Sequence, residues 1–212
     1  MLSPDALDLE YTRMMMGFLL FNPRPRRIAM VGLGGGSLAK FCYRYLPWAL
    51  IEVVEIDPRV IALRNSFMVP ADNERFRVIE DDGARYMAHA RGFDVILLDG
   101  FEAGGIPEAL CSQSFYAHCH DALTAGGMVV SNFHVNHPLH DDYLGRMRAS
   151  FGTSMCEVID DDMTNSVVFA CKGRLPDAEE GMSLKRPDDI AKDAWRQLMP
   201  TFRVIDATMT LR

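Results

Sequence analysis

Long apolar runs, closely spaced cysteines, internal repeats and a surplus of basic residues are all missing from this chain, and each absence closes off a class of protein. No apolar stretch reaches the roughly 18 residues of a membrane span. Met14–Phe21 is apolar but short and is flanked by Arg13 and Asn22. No basic region precedes it and no small-residue cleavage site follows it, so it does not read as a secretory leader, and a cytoplasmic protein is expected. The cysteines Cys42, Cys111, Cys119, Cys156 and Cys171 form no CxxC pair. They are expected as reduced, mostly buried thiols. Lys and Arg number 22 against 29 Asp and Glu, a net charge of −7. That balance argues against nucleic acid as a partner and is compatible with a cationic substrate. No Ser–His–Asp or Cys–His arrangement has nucleophile-elbow spacing. His134, His137 and His140 are spaced by three, but Pro138 interrupts any shared helical face and no cysteine joins them, so no metal site is expected. Asp160-Asp161-Asp162 reads as a solvated turn.

What is present is concentrated in Ile28–Glu55. Ile28-Ala29-Met30-Val31 is a short apolar run, followed at once by Gly32-Leu33-Gly34-Gly35-Gly36-Ser37. Leu38–Leu46 then has helical spacing, with Leu38, Phe41, Cys42, Tyr45 and Leu46 on one face. Ile51–Val54 is a second apolar strand and ends at Glu55. A nucleotide half-site needs these parts in this order. Glycines let the backbone approach a ligand closely, a helix N-terminus presents free N–H groups, and an acidic residue about twenty positions on accepts two hydrogen bonds from a ribose diol.

From Ile28 strands and helices alternate. Helices are expected at Val60–Phe67, Ala84–His89, Ser114–Leu123 and Leu139–Ser150, and strands at Phe76–Ile79, Phe93–Leu98 and Met128–Ser131. Cys156–Ile159 and Ser166–Ala170 read as an antiparallel hairpin at the sheet edge. The expected fold is α/β and Rossmann-like: a seven-stranded, mostly parallel sheet with helices on both faces, closed by an antiparallel hairpin. In the 212-residue chain, residues 28–172 form this nucleoside-binding unit, 1–27 a helical segment with a helix over Leu9–Phe21, and 173–212 a tail. Within the tail Asp188–Met199 reads as a helix and Phe202–Leu211 as extended.

Ligands of open parallel sheets sit beyond the carboxyl ends of the strands. Consecutive strands here end in Gly32–Gly36, Glu55, Asp82-Gly83 and Asp99. Glu55 fits a ribose, Asp82 an adenine amino group, and Asp99 lies where a reacting group would sit. As bland alternatives, Asp82 is a helix cap and Asp99 a turn residue. Two ligand classes compete, nicotinamide dinucleotides and adenosyl sulfonium compounds. The Gly32-x-Gly34-Gly35-Gly36 spacing and the terminal hairpin favour the sulfonium.

These motifs resemble the spermidine synthase (polyamine aminopropyltransferase) family within the class I methyltransferase fold. The resemblance runs from about Tyr11 to Val130. It is carried by Val31-Gly32-Leu33-Gly34-Gly35-Gly36-Ser37, Val54-Glu55-Ile56-Asp57-Pro58, Asp81-Asp82-Gly83, Phe93–Asp99, Gly105-Ile106-Pro107 with Phe115-Tyr116, and Leu123 with Gly126-Gly127. It implies decarboxylated S-adenosylmethionine as donor, a polyamine as acceptor and methylthioadenosine as product; the sequence leaves the oligomeric state open, with a homodimer as one candidate. It implies Gly32, Gly34, Gly35, Gly36, Glu55, Ile56, Asp82, Gly83 and Asp99 around the donor. Asp99 and Glu102 then act on the attacking amine, and Tyr11 and Glu102 line the acceptor pocket; His134, just beyond the fifth strand, is separately placed to reach a substrate. Three departures stand out. The family's loop carries an aspartate where this chain has Gly35, and that carboxylate holds the donor's ammonium and repels the carboxylate of intact S-adenosylmethionine. Glu102 replaces a shorter acidic residue. The family's N-terminal β-hairpin domain finds no room in the first 27 residues. A methyltransferase acting on a small molecule with intact S-adenosylmethionine, and a non-catalytic adenosyl-nucleoside-binding protein, therefore remain as alternatives.

Overall fold

The computed structural model describes residues 5–101, 105–175 and 184–210. The chain enters through α1 (Glu10–Met15) and α2 (Phe18–Phe21) and then alternates: β1 (Arg27–Val31), α3 (Ser37–Tyr45), β2 (Leu50–Glu55), α4 (Pro58–Ala62), β3 (Phe76–Glu80), α5 (Gly83–His89) and β4 (Phe93–Leu98). A short 3₁₀ turn at Glu108–Cys111 leads to α6 (Gln113–Ala122), β5 (Leu123–His134), α7 (His140–Phe151), β6 (Met155–Ile159), β7 (Asn165–Cys171) and α8 (Lys192–Thr210). Among the described residues the strands form one seven-stranded sheet in the order β3-β2-β1-β4-β5-β7-β6. β1 to β5 are parallel, and β7 runs antiparallel between β5 and β6. The expected fold class holds. β7 is inside the sheet, and only β6 of the hairpin lies at the edge.

Both faces of the sheet are covered, so the central strands read as continuous apolar runs. Along β1, Ile28 and Met30 join one core with α1, α3 and α8, while Ala29 and Val31 join the other with α6 and α7. In β4, Val95 and Leu97 join the first core and Ile96 and Leu98 the second. The five cysteines are buried and form no disulfide among the described residues. No helix among the described residues is long and apolar enough to cross a membrane.

The helix expected at Val60–Phe67 is the shorter α4, with turns following it, and four further expectations need correction. The first concerns Phe202–Leu211, expected to be extended. As far as it is described, this segment belongs to α8, which continues to Thr210 straight through Pro200. A proline removes one backbone donor and strains the preceding turn. Here Trp195, Leu198, Phe202, Ile205 and Met209 recur at intervals of three and four and bury one stripe in the first core. That burial outweighs the local cost. The single helix expected over Leu9–Phe21 is divided near Gly17, where an added Cβ would lie 2.5 Å from Ile205 Cδ1 and 2.8 Å from the Met14 carbonyl oxygen. The fifth strand is longer than Met128–Ser131 and carries the chain to His134, because β7 pairs with it through His134↔Asn165. Finally, Asp160 is not part of a solvated turn. It is buried and accepts hydrogen bonds from the Thr164 and Asn165 backbone amides and from both of their side chains. Asp161 and Asp162 are exposed as expected.

Because Phe202 is fully buried and packs edge-on against Trp195 at 5.1 Å, Phe202→Ala should cost about 3–5 kcal/mol of unfolding free energy. Urea denaturation measures this; a change below about 1 kcal/mol would contradict the packed helix.

Candidate active site

The strand order reverses between β1 and β4, and parallel sheets open a crevice at that point beyond their carboxyl ends. Here the crevice is a cleft of about 680 Å³. Its floor is the end of β1, its flanks are the turns after β2 and β3, and its far wall is the segment around Pro107–Leu110.

Two glycines set the loop after β1. Gly32 has φ +97°, and a Cβ there would lie 2.5 Å from the Asp99 carbonyl oxygen. Only glycine lets the loop pass so close to the end of β4. Gly36 has φ +70° and precedes α3, and its Cβ would meet Val69 Cγ2 at 2.4 Å. Gly32 and Gly34 line the cleft; Gly35 and Gly36 are not among its lining residues. A Cβ on Gly35 would lie 3.7 Å from the Phe67 ring, whose backbone carbonyl accepts from Lys40 Nζ at 2.9 Å. The back of the loop is thereby packed by residues 67–69.

Glu55 ends β2 and lines the cleft. Its Oε2 accepts from the Leu33 amide and its Oε1 from the Asp57 amide, each at 2.9 Å. One carboxylate thus joins the glycine loop to the β2–α4 turn. Ile56 beside it is exposed and also lines the cleft. Asp57 caps α4, and Arg59 beside it holds its carboxyl down to about 2. Asp82 caps α5, accepting from the Ala84 and Arg85 amides on Oδ1 at 2.7 and 3.0 Å. It lines the cleft together with Gly83, so its capping role and its place at the site coexist.

Asp99 is the buried acid of the cleft. It follows β4 directly, and its amide donates to the Val31 carbonyl at 3.0 Å. Tyr11, from α1, donates its hydroxyl to Asp99 Oδ2 at 3.4 Å, and Asn132, from β5, donates Nδ2 to Oδ1 at 3.0 Å. Burial pushes the Asp99 carboxyl up to about 6, against the pull of those two bonds. Burial, followed by the charge of Asp99, raises the Tyr11 phenol above its usual range.

The structure therefore brings Tyr11, Gly32, Gly34, Glu55, Ile56, Asp82, Gly83 and Asp99 to one cleft. His134 does not line it. His134 is exposed at the end of β5, with its ring 4.8 Å from that of Phe101, which does line the cleft. Glu102 lies outside the described residues. Among those residues no group of three or more His, Cys, Asp or Glu is placed to hold a metal ion. His137 instead stacks on Tyr143, and His140 Nε2 lies 3.1 Å from Glu157 Oε1. Sequence reasoning misses Asn132, because the strand expected at Met128–Ser131 stops three residues before β5 ends at His134. The available signal is an amide that, with Ser131, separates the apolar run Met128–Val130 from Phe133. It also missed the Pro107, Ala109 and Leu110 wall, whose residues carry no polar chemistry to mark them.

A family model described as the spermine/spermidine synthase domain matches residues 8–164. A polyamine aminopropyltransferase of Chromobacterium violaceum is 37% identical over 190 residues, covering 88% of this chain and 72% of the relative. A probable spermidine synthase from Corynebacterium glutamicum superposes with a TM-score of 0.73 at 21% identity, over 92% of this chain and 72% of that one. Human methyltransferase-like protein 13, solved in complex with SAH, superposes with a TM-score of 0.72 at 25% identity, over 92% and 93%.

The raised Asp99 carboxyl has a consequence for stability. Its pKa of about 6 in the fold compares with about 4 in an unfolded chain. Between those values the folded state binds more protons than the unfolded state, so stability falls as pH rises through that window. Asp99→Asn should therefore raise the unfolding free energy by on the order of 2 kcal/mol at about pH 7.5, and by almost nothing near pH 4. Thermal melts at both pH values test this. A variant no more stable than the parent at the higher pH would show that burial of Asp99 carries no such cost.

Proposed function

Because the chain belongs to the spermine/spermidine synthase family, we propose that it transfers an aminopropyl group from decarboxylated S-adenosylmethionine to an amine of a polyamine, in the cleft at the ends of β1 and β4. The observation that carries this reading is Asp99: a buried carboxylate held from two sides at the floor of a cleft large enough for an adenosyl ligand.

In this reading Glu55 accepts from the ribose hydroxyls while its backbone bonds keep it rigid. Asp82 accepts from the adenine amino group. Ile56 and Leu110 cover the base from the two sides of the cleft, and Gly32 and Gly34 allow the sulfonium end to approach the backbone. The sulfonium carbon is already activated, so the protein's task is alignment and proton removal. The amine lone pair attacks the methylene bonded to sulfur. The C–N bond forms, the C–S bond breaks with its electron pair going to sulfur, and methylthioadenosine leaves as a neutral thioether. Asp99 orients the amine and accepts its proton as the new bond forms. Tyr11 holds Asp99 from the α1 side and lines the acceptor end, with His134 at its outer rim.

Gly35 favours a second reading. The glycine loop carries no carboxylate at that position, and the human methyltransferase-like relative was solved with SAH. Transfer of a methyl group from intact S-adenosylmethionine to a small molecule would use the same nucleoside contacts.

Calorimetric titration with both donors separates the two. Tighter binding of the decarboxylated donor, followed by mass-spectrometric detection of an aminopropylated polyamine, is the expected result. Preference for the intact donor with methyl transfer would replace this reading with the second, and binding of neither would remove both. Glu55→Ala should weaken both donors alike by about tenfold or more, the worth of a charge-assisted hydrogen bond; unchanged affinity would remove Glu55 from the ribose.

A further inference from the structure

Asn132 is a polar residue placed where the fold has no structural use for one. The paired residues Leu98 and Ser131 bring β4 and β5 side by side, and one step further Asp99 and Asn132 become neighbours. Side chains alternate along a strand, so Asn132 shares a face with Val130, and its partner on β7 is Val167. Both valines are fully buried, and Asn132 itself is only 3% exposed. An ionised carboxylate can only accept, so the N–H end of the amide must face Asp99. The carbonyl end then points elsewhere, and Asn132 Oδ1 is buried with no hydrogen-bond partner among the described residues. An amide buried with one end unanswered destabilises a fold relative to an apolar residue of the same shape. Apart from its bond to Asp99, stability therefore does not explain its presence.

We propose that Asn132 is a positioning residue of the transfer reaction, whose amide keeps the Asp99 carboxylate ionised and aimed at the attacking amine. This deepens the reading of Asp99 as proton acceptor and rests on that reading for its kinetic consequence only. The titratable and charged groups around Asp99 are few. Tyr11 faces it from α1. Across the cleft stand Glu55, Asp57 and Arg59 beyond β2 and Asp82 before α5. Phe101 follows on the same loop, and His134 lies two residues beyond Asn132 on β5. None of these donates to Asp99 Oδ1, the oxygen that Asn132 serves.

The test uses the ligand-free full chain labelled with ¹³C at aspartate carboxyls. The Asp99 resonance is assigned by its loss in Asp99→Asn. Asn132→Leu, which is close to isosteric, removes the donor. The Asp99 midpoint should rise by about one pH unit, while the melting temperature below about pH 5, where Asp99 is protonated in both proteins, stays level or increases. Asn132→Ser, too short to reach Asp99, should shift the midpoint in the same direction and covers the case in which the leucine variant misfolds. An unmoved midpoint in either folded variant overturns the proposal. So does a midpoint that moves only together with a large loss of melting temperature, which would mark a structural role. Kinetics form a separate arm. The acid limb of kcat/KM should move up with the midpoint, giving about a fivefold loss near pH 6 and little at pH 9. A midpoint that moves without the kinetic limb would uphold the effect of Asn132 on Asp99 and overturn Asp99 as the proton acceptor.

Discussion

Gly32 can carry no side chain, because the Asp99 carbonyl occupies the space next to its Cα, and the geometry of the cleft follows from that contact. β1 and β4 are neighbours in the sheet although β2 and β3 lie between them in the chain. Their ends are tied by the Asp99 amide on the Val31 carbonyl, and Gly32 in turn donates to the Val54 carbonyl on the other side. The loop is thus pinned to β2 and β4 together. Any Cβ at this position would force these strand ends apart and with them Glu55, Asp99 and the space between.

Around that pinned loop, the polar groups of the site hold protein backbone as well as facing the cleft. Glu55 fastens two loops through backbone amides, Asp82 caps a helix, and Asp57 caps another. These carboxylates are ordered before any ligand arrives, which reduces the ordering cost of binding. Asp99 differs from them. Its partners are side chains, Tyr11 and Asn132, and it is buried. That environment leaves its proton affinity closer to neutrality than is usual for a carboxyl. The group proposed for proton transfer is thus a buried carboxyl with a raised proton affinity.

The two termini matter more to this site than their positions in the chain suggest. Tyr11 belongs to α1, and α1 is packed against α8. The Leu7 amide donates to Gln197 at 2.8 Å, close to that contact. The C-terminal helix therefore supports the element that carries Tyr11 to Asp99, although it supplies no residue to the cleft itself.

Much of this was legible in the sequence. The glycine turn between two apolar strands, the acids at the strand ends and the alternation of strand and helix depend on local spacing. Local spacing dictated them, because period-two and period-3.6 burial and the φ requirements of glycine act over a few residues. The resemblance to a known family rested on the same local motifs. Other features depended on distant partners. α8 remains a helix through Pro200 because Phe202 and Ile205 find a core assembled from strands far earlier in the chain. β5 extends to His134 because β7 returns to pair with it. The environment of Asp99 combines α1, β4 and β5, segments separated by 88 and 33 residues. The sequence by itself determined which chemical groups stand at the ends of the strands. Only the tertiary structure decided which of them are buried, which meet, and which proton is held near neutrality, because burial and hydrogen bonding depend on how distant segments pack together.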